Sequence, residues 1–306
     1  MGHDHHHHAD AGDRNLALAV AVNLGLTVVQ FIGGLLSGSL ALMADALHNL
    51  SDAVSLIIAF GARRIARRPA NPDMTFGYGR AEVVAALINY TTLILIGFYL
   101  LYEAVLRVFD PRGVDGWMIV IIAGVALLID LATAFLTWKM SKTSLNIRAA
   151  FLHNLADALG SVAVIVAGTL ILLYDWRIAD PLITLGIAGY ILWMSFHEIR
   201  PVIRILMMGS PKAGGAEGLV ADLRKVAGVA DIHHAHLWQI DEHNSTLDAH
   251  VVIPGGAWDQ ADAIKARLKR HLAEVHDIHH STLEIECSTH ACRGQQTFGH
   301  VRPPDR

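Results

Sequence analysis

His48 and Asp52 stand four residues apart inside an apolar run, and His153 and Asp157 repeat that spacing inside another. The surrounding phrases match as well, His48-Asn49-Leu50-Ser51-Asp52-Ala53 against His153-Asn154-Leu155-Ala156-Asp157-Ala158. On a helix, positions i and i+4 share a face, one turn apart. Two such faces brought together offer two imidazole nitrogens and two carboxylate oxygens, a donor set that suits a divalent metal and zinc above all. The carboxylates cancel the charge of the dication, so the filled site is near neutral in a medium hostile to charge. Imidazole titrates near neutral pH, so metal must displace protons to bind, and acid must loosen it. Only His48, His153 and His197 of the chain's 19 histidines fall between the leader and Gly209. Ionisable groups at membrane depth are costly and therefore functional candidates.

Two further carboxylates accompany the pairs. Asp45 lies three residues before His48 on the same helical face, placed either to orient the imidazole or to start the helix near Ser39. Asp130 lies deep in a separate apolar run, placed to line an ion or proton path. Asn23, Gln30 and Asn89 read as hydrogen bonds between helices.

The elements that must carry these residues are membrane spans. The 306 residues are 53% hydrophobic and 17% charged, where soluble domains carry about 25% charge. Runs long enough to cross a bilayer, about 20 residues each, fall at Asn15–Leu36, Ser39–Ile65, Ala81–Phe109, Trp117–Met140, Asn146–Tyr174 and Ile178–Leu206. Ser37-Gly38 leaves room only for a tight hairpin between the first two, and Asp110-Pro111-Arg112-Gly113 marks a later turn. One side of these spans carries Arg14, Arg63, Arg64, Arg67, Arg68, Arg80, Lys139, Lys142, Arg148, Arg200, Arg204 and Lys212; the other carries Arg107, Arg112 and Arg177. The asymmetry predicts both termini in the cytoplasm. No signal peptide is expected ahead of the first run, and cytoplasmic placement agrees with two free thiols, Cys287 and Cys292. The net charge of -4 argues against nucleic acid as a partner.

Past Ser210 the chain reads as a water-soluble domain. Glu217–Ala227 has helical spacing, Val229–Ile240 and Thr246–Ile253 alternate as strands around an Asp241–Asn244 turn, Trp258–Val275 is a helix, and Ser281–Cys287 alternates again. The first strand carries His233, His234 and His236, the second His250, and the third Glu284 and Glu286 after His279 and His280. His234, His243, His271, His276 and His300 are expected as solvated surface histidines. The boundaries predict a His-rich tail over 1–14, a six-helix membrane domain over 15–208, a cytoplasmic domain over 209–290 and a C-terminal tail over 291–306. The leader His3-Asp4-His5-His6-His7-His8 reads either as an expression tag or as a native tail that gathers metal; the interposed aspartate and the run of four histidines favour the tail.

Three stretches carry a family likeness: Ser37-Gly38-Ser39-Leu40-Ala41-Leu42-Met43-Ala44-Asp45-Ala46-Leu47-His48, Phe76-Gly77-Tyr78-Gly79-Arg80-Ala81-Glu82, and the His153/Asp157 pair. With them the chain resembles the cation diffusion facilitator family of metal/proton antiporters, in its zinc-type branch. The resemblance implies an all-α bundle of six transmembrane helices with a cytoplasmic α+β domain of ferredoxin-like (metallochaperone-like) fold. It implies a homodimer in the lipid bilayer, a bacterial inner membrane as its location, and efflux of Zn2+ in exchange for H+ by alternating access. No organic substrate is expected. His48 stands where members that also move cadmium often have aspartate, which implies a zinc preference while leaving Co2+ and Cd2+ open. The resemblance further implies a cytoplasmic metal set of His233, His250 and Glu286, and a neighbouring set of His279, Cys287 and Cys292, through which zinc is sensed. Some members hold another metal on the loop between the second and third spans. Asp73 is present there, but Tyr78 and Met74 or Thr75 stand where histidines belong, so no loop site is expected.

Two other readings compete. An intramembrane metallohydrolase needs a His-Glu-x-x-His helix and an open metal position, but His197-Glu198 is followed by Arg200-Pro201 and no second histidine. A membrane metal sensor without transport would use the same sites.

Overall fold

The structure, a computed structural model, describes residues 24–141, 145–212, 215–292 and 296–299. Within its helices the side chains of residue 56, residues 136–137, 139–141 and 145–150, and of His153, lie outside the description, as do the leader His3–His8, Asn23 and His300 altogether. Six apolar helices come first. They are α1 (Leu24–Ser37), α2 (Leu40–Ala66), α3 (Arg80–Phe109), α4 (Gly116–Ser141), α5 (Leu145–Tyr174) and α6 (Ala179–Leu206). The last five contain stretches long and apolar enough to cross a membrane, and α1 is the described part of the expected first span. Large apolar side chains such as Phe109, Phe135, Leu128 and Trp193 stand on the outer surface. A soluble protein could not keep so much contiguous apolar surface in water, whereas lipid covers it without cost.

Two compact units divide the chain, one formed by residues up to Phe60 with Ile88–Ile199, the other by Gly61–Leu87 with the residues from Arg200 onward. In the first, α2 is the central element. Leu40 and Ala44 pack with Leu93, Leu100 and Ala104 of α3 and with Ala188 and Ile191 of α6. Ala41 and Leu42 pack with Ile119 and Ala123 of α4 and with Val164 and Ile171 of α5. Gly38 makes the α1–α2 hairpin possible. Its φ is +73°, a conformation that an L side chain adopts only under strain. Arg107 Nη1 donates to its carbonyl at 2.6 Å.

The start of α2 is fixed from a distant part of the chain. Ser39 accepts a hydrogen bond from the Leu42 N–H at 3.1 Å, an N-cap contact. Asp180, fully buried at the start of α6, accepts from Ser39 Oγ and from the N–H groups of Leu40 and Ala41 at 2.8 and 3.2 Å. The otherwise orphaned donors of the first turn are thereby satisfied inside an apolar bundle.

The second unit contains a helix-strand-strand-helix-strand domain. Its elements are α7 (Ala216–Leu223), β1 (Asp231–Gln239), β2 (Ser245–Ile253), α8 (Ala261–His276, led by a 3-10 turn at Trp258–Gln260) and β3 (His280–Cys287). The sheet order is β1-β2-β3, with β1 and β2 antiparallel and β2 and β3 parallel across the α8 crossover. One core joins Leu219, Val220 and Leu223 of α7 and Ile264, Leu268 and Leu272 of α8 to Ile232, Leu247, Val251 and Ile253 of the strands. Both helices therefore lie on one face of the sheet. The pairing of β1 slips between His233 and His236, and His234 takes φ +51° in the bulge. The segment expected to be a plain C-terminal tail returns here: the N–H groups of His234 and Ala235 donate to the Gln296 and Thr297 carbonyls, and Phe298 bridges to Ala235. In the same unit the α2–α3 loop lies against the β1–β2 turn, where Arg80 Nε donates to the Ile240 carbonyl at 2.9 Å and Gly79 leaves no space for a Cβ beside Asp241.

Candidate metal centres

His48 and Asp52 follow one another by a turn on α2, and Asp157 lies on α5. His48 Nε2 stands 3.8 Å from Asp52 Oδ2 and 3.8 Å from Asp157 Oδ1. Those spacings exceed a direct hydrogen bond but suit donors that would surround one cation. His153 belongs to α5 one turn before Asp157, and its side chain is outside the described residues. A cavity of about 400 Å³ lies beside the group, lined by Asp45, His48, Asp157, Gly160 and apolar residues of α6 including Leu182 and Ile187. The small residue at Gly160 matters to it, because a Cβ there would sit 3.3 Å from Asp45 Oδ1.

The flanking polar residues form interhelical links. Asp45 is buried and accepts from Gln30 Nε2 of α1 at 2.6 Å; Gln30 in turn accepts from Asn49 at 3.2 Å. The bond from Gln30 ties Asp45 to α1 and holds the His48 turn against it. Asp130 of α4 is buried and accepts from Ser161 Oγ of α5 at 3.2 Å. Asn89 of α3 accepts from Ser51 and Ser55 of α2. Asp73 is exposed in the α2–α3 loop, its N–H bonded to Asn71 Oδ1, while Tyr78 accepts from the Asn71 amide.

A second cluster lies on the helix-free face of the sheet, and strand pairing builds it. His233 and His250 are direct partners across β1 and β2, so their side chains share a face. His250 pairs with Glu284 on β3, and Glu286, two residues on, points the same way. His250 Nδ1 lies 2.6 Å from Glu286 Oε1, His250 Nε2 lies 3.3 Å from Glu284 Oε2, and His233 Nε2 lies 3.3 Å from Glu286 Oε2. The turn after β3 brings Cys292 back, with its N–H donating to Glu286 Oε2 at 3.1 Å and Sγ 3.2 Å from Oε1. One ligating atom each from His233, His250, Glu286 and Cys292 falls within 4.8 Å of the others.

The grouping differs from the expected one. Cys292 joins His233, His250 and Glu286, while His279 and Cys287 stand apart from them. Cys287 directly follows Glu286 on a strand and so faces the other side, where its thiol contacts Thr289 Oγ1 at 2.7 Å and His290 Nδ1 at 3.7 Å. Hydrogen bonding to Thr289, and then to His290, lowers that thiol to about 6. His279 is exposed and bonds Asp277 at 2.8 Å. His234, expected in solvent, has its ring centroid 4.9 Å from that of His250, because the bulge re-aims it. His271 and His276, also expected as solvated, both bond Asp222.

The sheet-face residues fit a metal. His233 is 1% exposed; its Nδ1 has no hydrogen-bond partner among the described residues, and its Nε2 meets Glu286 Oε2 at 3.3 Å without hydrogen-bond geometry. A buried imidazole in that state is costly, and a cation at the cluster would relieve it. Burial raises the Glu286 carboxyl, but the hydrogen bonds from Cys292 and His250 outweigh it and hold the group below its ordinary value. The same contact, with Glu286 as acceptor, raises the Cys292 thiol, so metal binding there must expel a proton.

Residues 16–207 match the family model described as the cation efflux transmembrane domain, and residues 216–288 match that of the cation efflux protein cytoplasmic domain. The chain is 36% identical to a protein named zinc transporter ZitB of Pectobacterium atrosepticum, over 98% of this chain and 95% of that one. It is 34% identical to a protein named cadmium, cobalt and zinc/H(+)-K(+) antiporter of Bacillus velezensis, over 95% and 93%. Among solved structures, the metal-bound C-terminal domain of the CzcD transporter from Cuprividus metallidurans is 27% identical, covers 23% of this chain and 94% of that one, and gives a TM-score of 0.21. The chain belongs to the cation efflux, or cation diffusion facilitator, family, and is an integral membrane transporter of metal cations rather than an enzyme.

Proposed function

We propose that the chain exports Zn2+ from the cytoplasm in exchange for H+, with His48, Asp52, His153 and Asp157 as the transport site. The observation that carries this reading is the convergence of His48 and Asp157, on different helices, at 3.8 Å beside a cavity within the bundle. Zinc enters a site whose donors are deprotonated. Two carboxylates neutralise it, and the imidazoles fill the remaining positions. When the site faces the other side, protons compete for the same lone pairs and the metal leaves. Asp45 and Asp130 are assigned to the proton path or to orienting the ligands.

Relatives of similar length are named for zinc, some of them also for cadmium and cobalt, which supports zinc as the main cargo with Co2+ and Cd2+ as secondary ones. The protein works as a homodimer in a bacterial inner membrane with both termini in the cytoplasm. Its sheet-face cluster binds zinc as a sensor, biasing the transport cycle when cytosolic metal is high. The N-terminal histidines gather metal for the site.

Zinc uptake into inverted proteoliposomes under an imposed pH gradient tests the proposal. Flux should collapse when the gradient is removed and in the Asp157→Ala variant. Flux that survives Asp157→Ala rules out the site, and a wild type that binds zinc yet moves none identifies a sensor instead.

A further inference from the structure

On the helix side of the C-terminal sheet, three ligating groups converge that the transport reading does not use. Asp222 lies in the last turn of α7, and His271 and His276 lie toward the end of α8. Packing puts them together. Leu223 and Leu272 are buried in the shared core, and Asp222 and His271 are their immediate neighbours, carried to the rim where the two helices meet. His271 Nε2 is 2.6 Å from Asp222 Oδ2, and His276 Nε2 is 3.1 Å from the same oxygen. The imidazole rings cross at 68° with centroids 5.6 Å apart. Ligating atoms of all three residues fall within 4.8 Å of one another.

We infer that Asp222, His271 and His276 form a separate site for a divalent cation of zinc type, clamping α7 to α8. Two imidazole nitrogens and one carboxylate oxygen are the donor set of three-ligand zinc sites, with water completing the tetrahedron. Donors about 2.0–2.1 Å from zinc lie about 3.3 Å from each other in a tetrahedron, so the two N–O spacings of 2.6 and 3.1 Å open by less than an ångström to admit the ion. The side chains are 23–31% exposed, which gives an entry path and room for that shift. The competing cation, Lys225 Nζ, lies 3.6 Å from the other carboxylate oxygen and is 76% exposed, free to swing into water. Without metal the two imidazoles, as Nε2–H tautomers, donate to the Asp222 carboxylate; with metal, each neutral ring carries its proton on Nδ1 instead, so that both Nε2 lone pairs and the carboxylate oxygen face the one ion. The site is independent of the sheet-face cluster, whose ligands lie on the opposite side of the strands.

The test uses the full-length protein in detergent, dialysed to equilibrium against Zn2+, with bound metal counted by mass spectrometry. Asp222→Asn and His276→Gln should each remove one zinc per chain, and pairing either with His250→Ala should remove two. In the wild type, zinc should protect His271 and His276 from carbethoxylation by diethyl pyrocarbonate, mapped by peptide mass. Unchanged modification of both histidines with zinc present overturns the site, as does wild-type stoichiometry in Asp222→Asn. The modification experiment decides the question even where a variant fails to fold. Loss of zinc flux has no bearing on either readout, so failure of the transport reading is distinguishable from failure of this one.

Discussion

The intramembrane group and the sheet-face cluster present similar donors at different spacing. His48 stands 3.8 Å from each carboxylate, while His250 touches Glu286 at 2.6 Å. One set is spread over separate helices beside a cavity; the other is fixed by adjacent strands whose register allows no slip without reversing every side chain. Helices can shift past one another at small cost, whereas paired strands move as a unit. The difference teaches how the same chemistry serves two ends. As the proposed cargo site, the intramembrane group must let go, and its donors sit on elements that can separate. As the proposed sensor, the sheet-face cluster must report occupancy, and its histidines and Glu286 sit on a frame of paired strands.

Asp157→Ala breaks the comparison hardest. It removes a charge-balancing donor from the proposed cargo site, and we expect zinc flux to fall by at least about 100-fold, beyond the effect of losing a residue that only orients a ligand. Zinc bound by the C-terminal domain should not change, as counted by dialysis. His250→Ala is the mirror image. Zinc affinity of the sheet-face cluster should drop about 10–100-fold by titration, while flux at saturating zinc falls no more than about fivefold, the lower range of allosteric coupling. Equal losses of flux in both variants would mean that the cluster is part of the transport path. His48→Asp sharpens the contrast from the cargo side. It places at this position the aspartate that the family resemblance associates with members that also move cadmium, so cadmium flux relative to zinc should rise, by about tenfold at most, since geometry and the remaining ligands also carry metal selectivity. An unchanged ratio of cadmium to zinc in a paired flux assay would remove His48 from selectivity.

The two regions were not equally legible in the sequence. The spans could be read because a bilayer needs long apolar runs, and Ser37-Gly38 and the Asp110–Gly113 turn bracket them sharply. The His48/Asp52 spacing needed only helix periodicity to bring both residues onto one face. In the C-terminal domain, alternation located the strands, and the same parity already set Cys287 opposite to Glu286. The place of Cys292 depended on a turn after β3 that no periodicity encodes. The convergence of Asp222 with His271 and His276 depends on how two helices pack, across about 50 residues of chain, and composition alone reads those histidines as solvated. His234 depended on a bulge, which shows in a sequence only as one residue too many.

Asp180 was the least legible, since its partners at Ser39, Leu40 and Ala41 lie some 140 positions away. Its removal is the smallest effect that still tests the comparison. Asp180→Ala leaves the first N–H groups of α2 without acceptors inside the bundle, which costs about 1–3 kcal/mol per orphaned group. Ser39 still caps Leu42, and deleting a buried carboxylate recovers its desolvation, so the net loss should be nearer about 1 kcal/mol, as for ordinary N-caps. Thermal unfolding in detergent should show a lower midpoint for Asp180→Ala and a partial recovery for Asp180→Asn, which keeps one acceptor oxygen. The decisive part is where the loss appears. If α2 is held in place for the sake of His48, zinc flux should fall in Asp180→Ala while the zinc affinity of the sheet-face cluster stays constant. A variant that loses midpoint yet transports at the wild-type rate would make the cap a matter of folding alone.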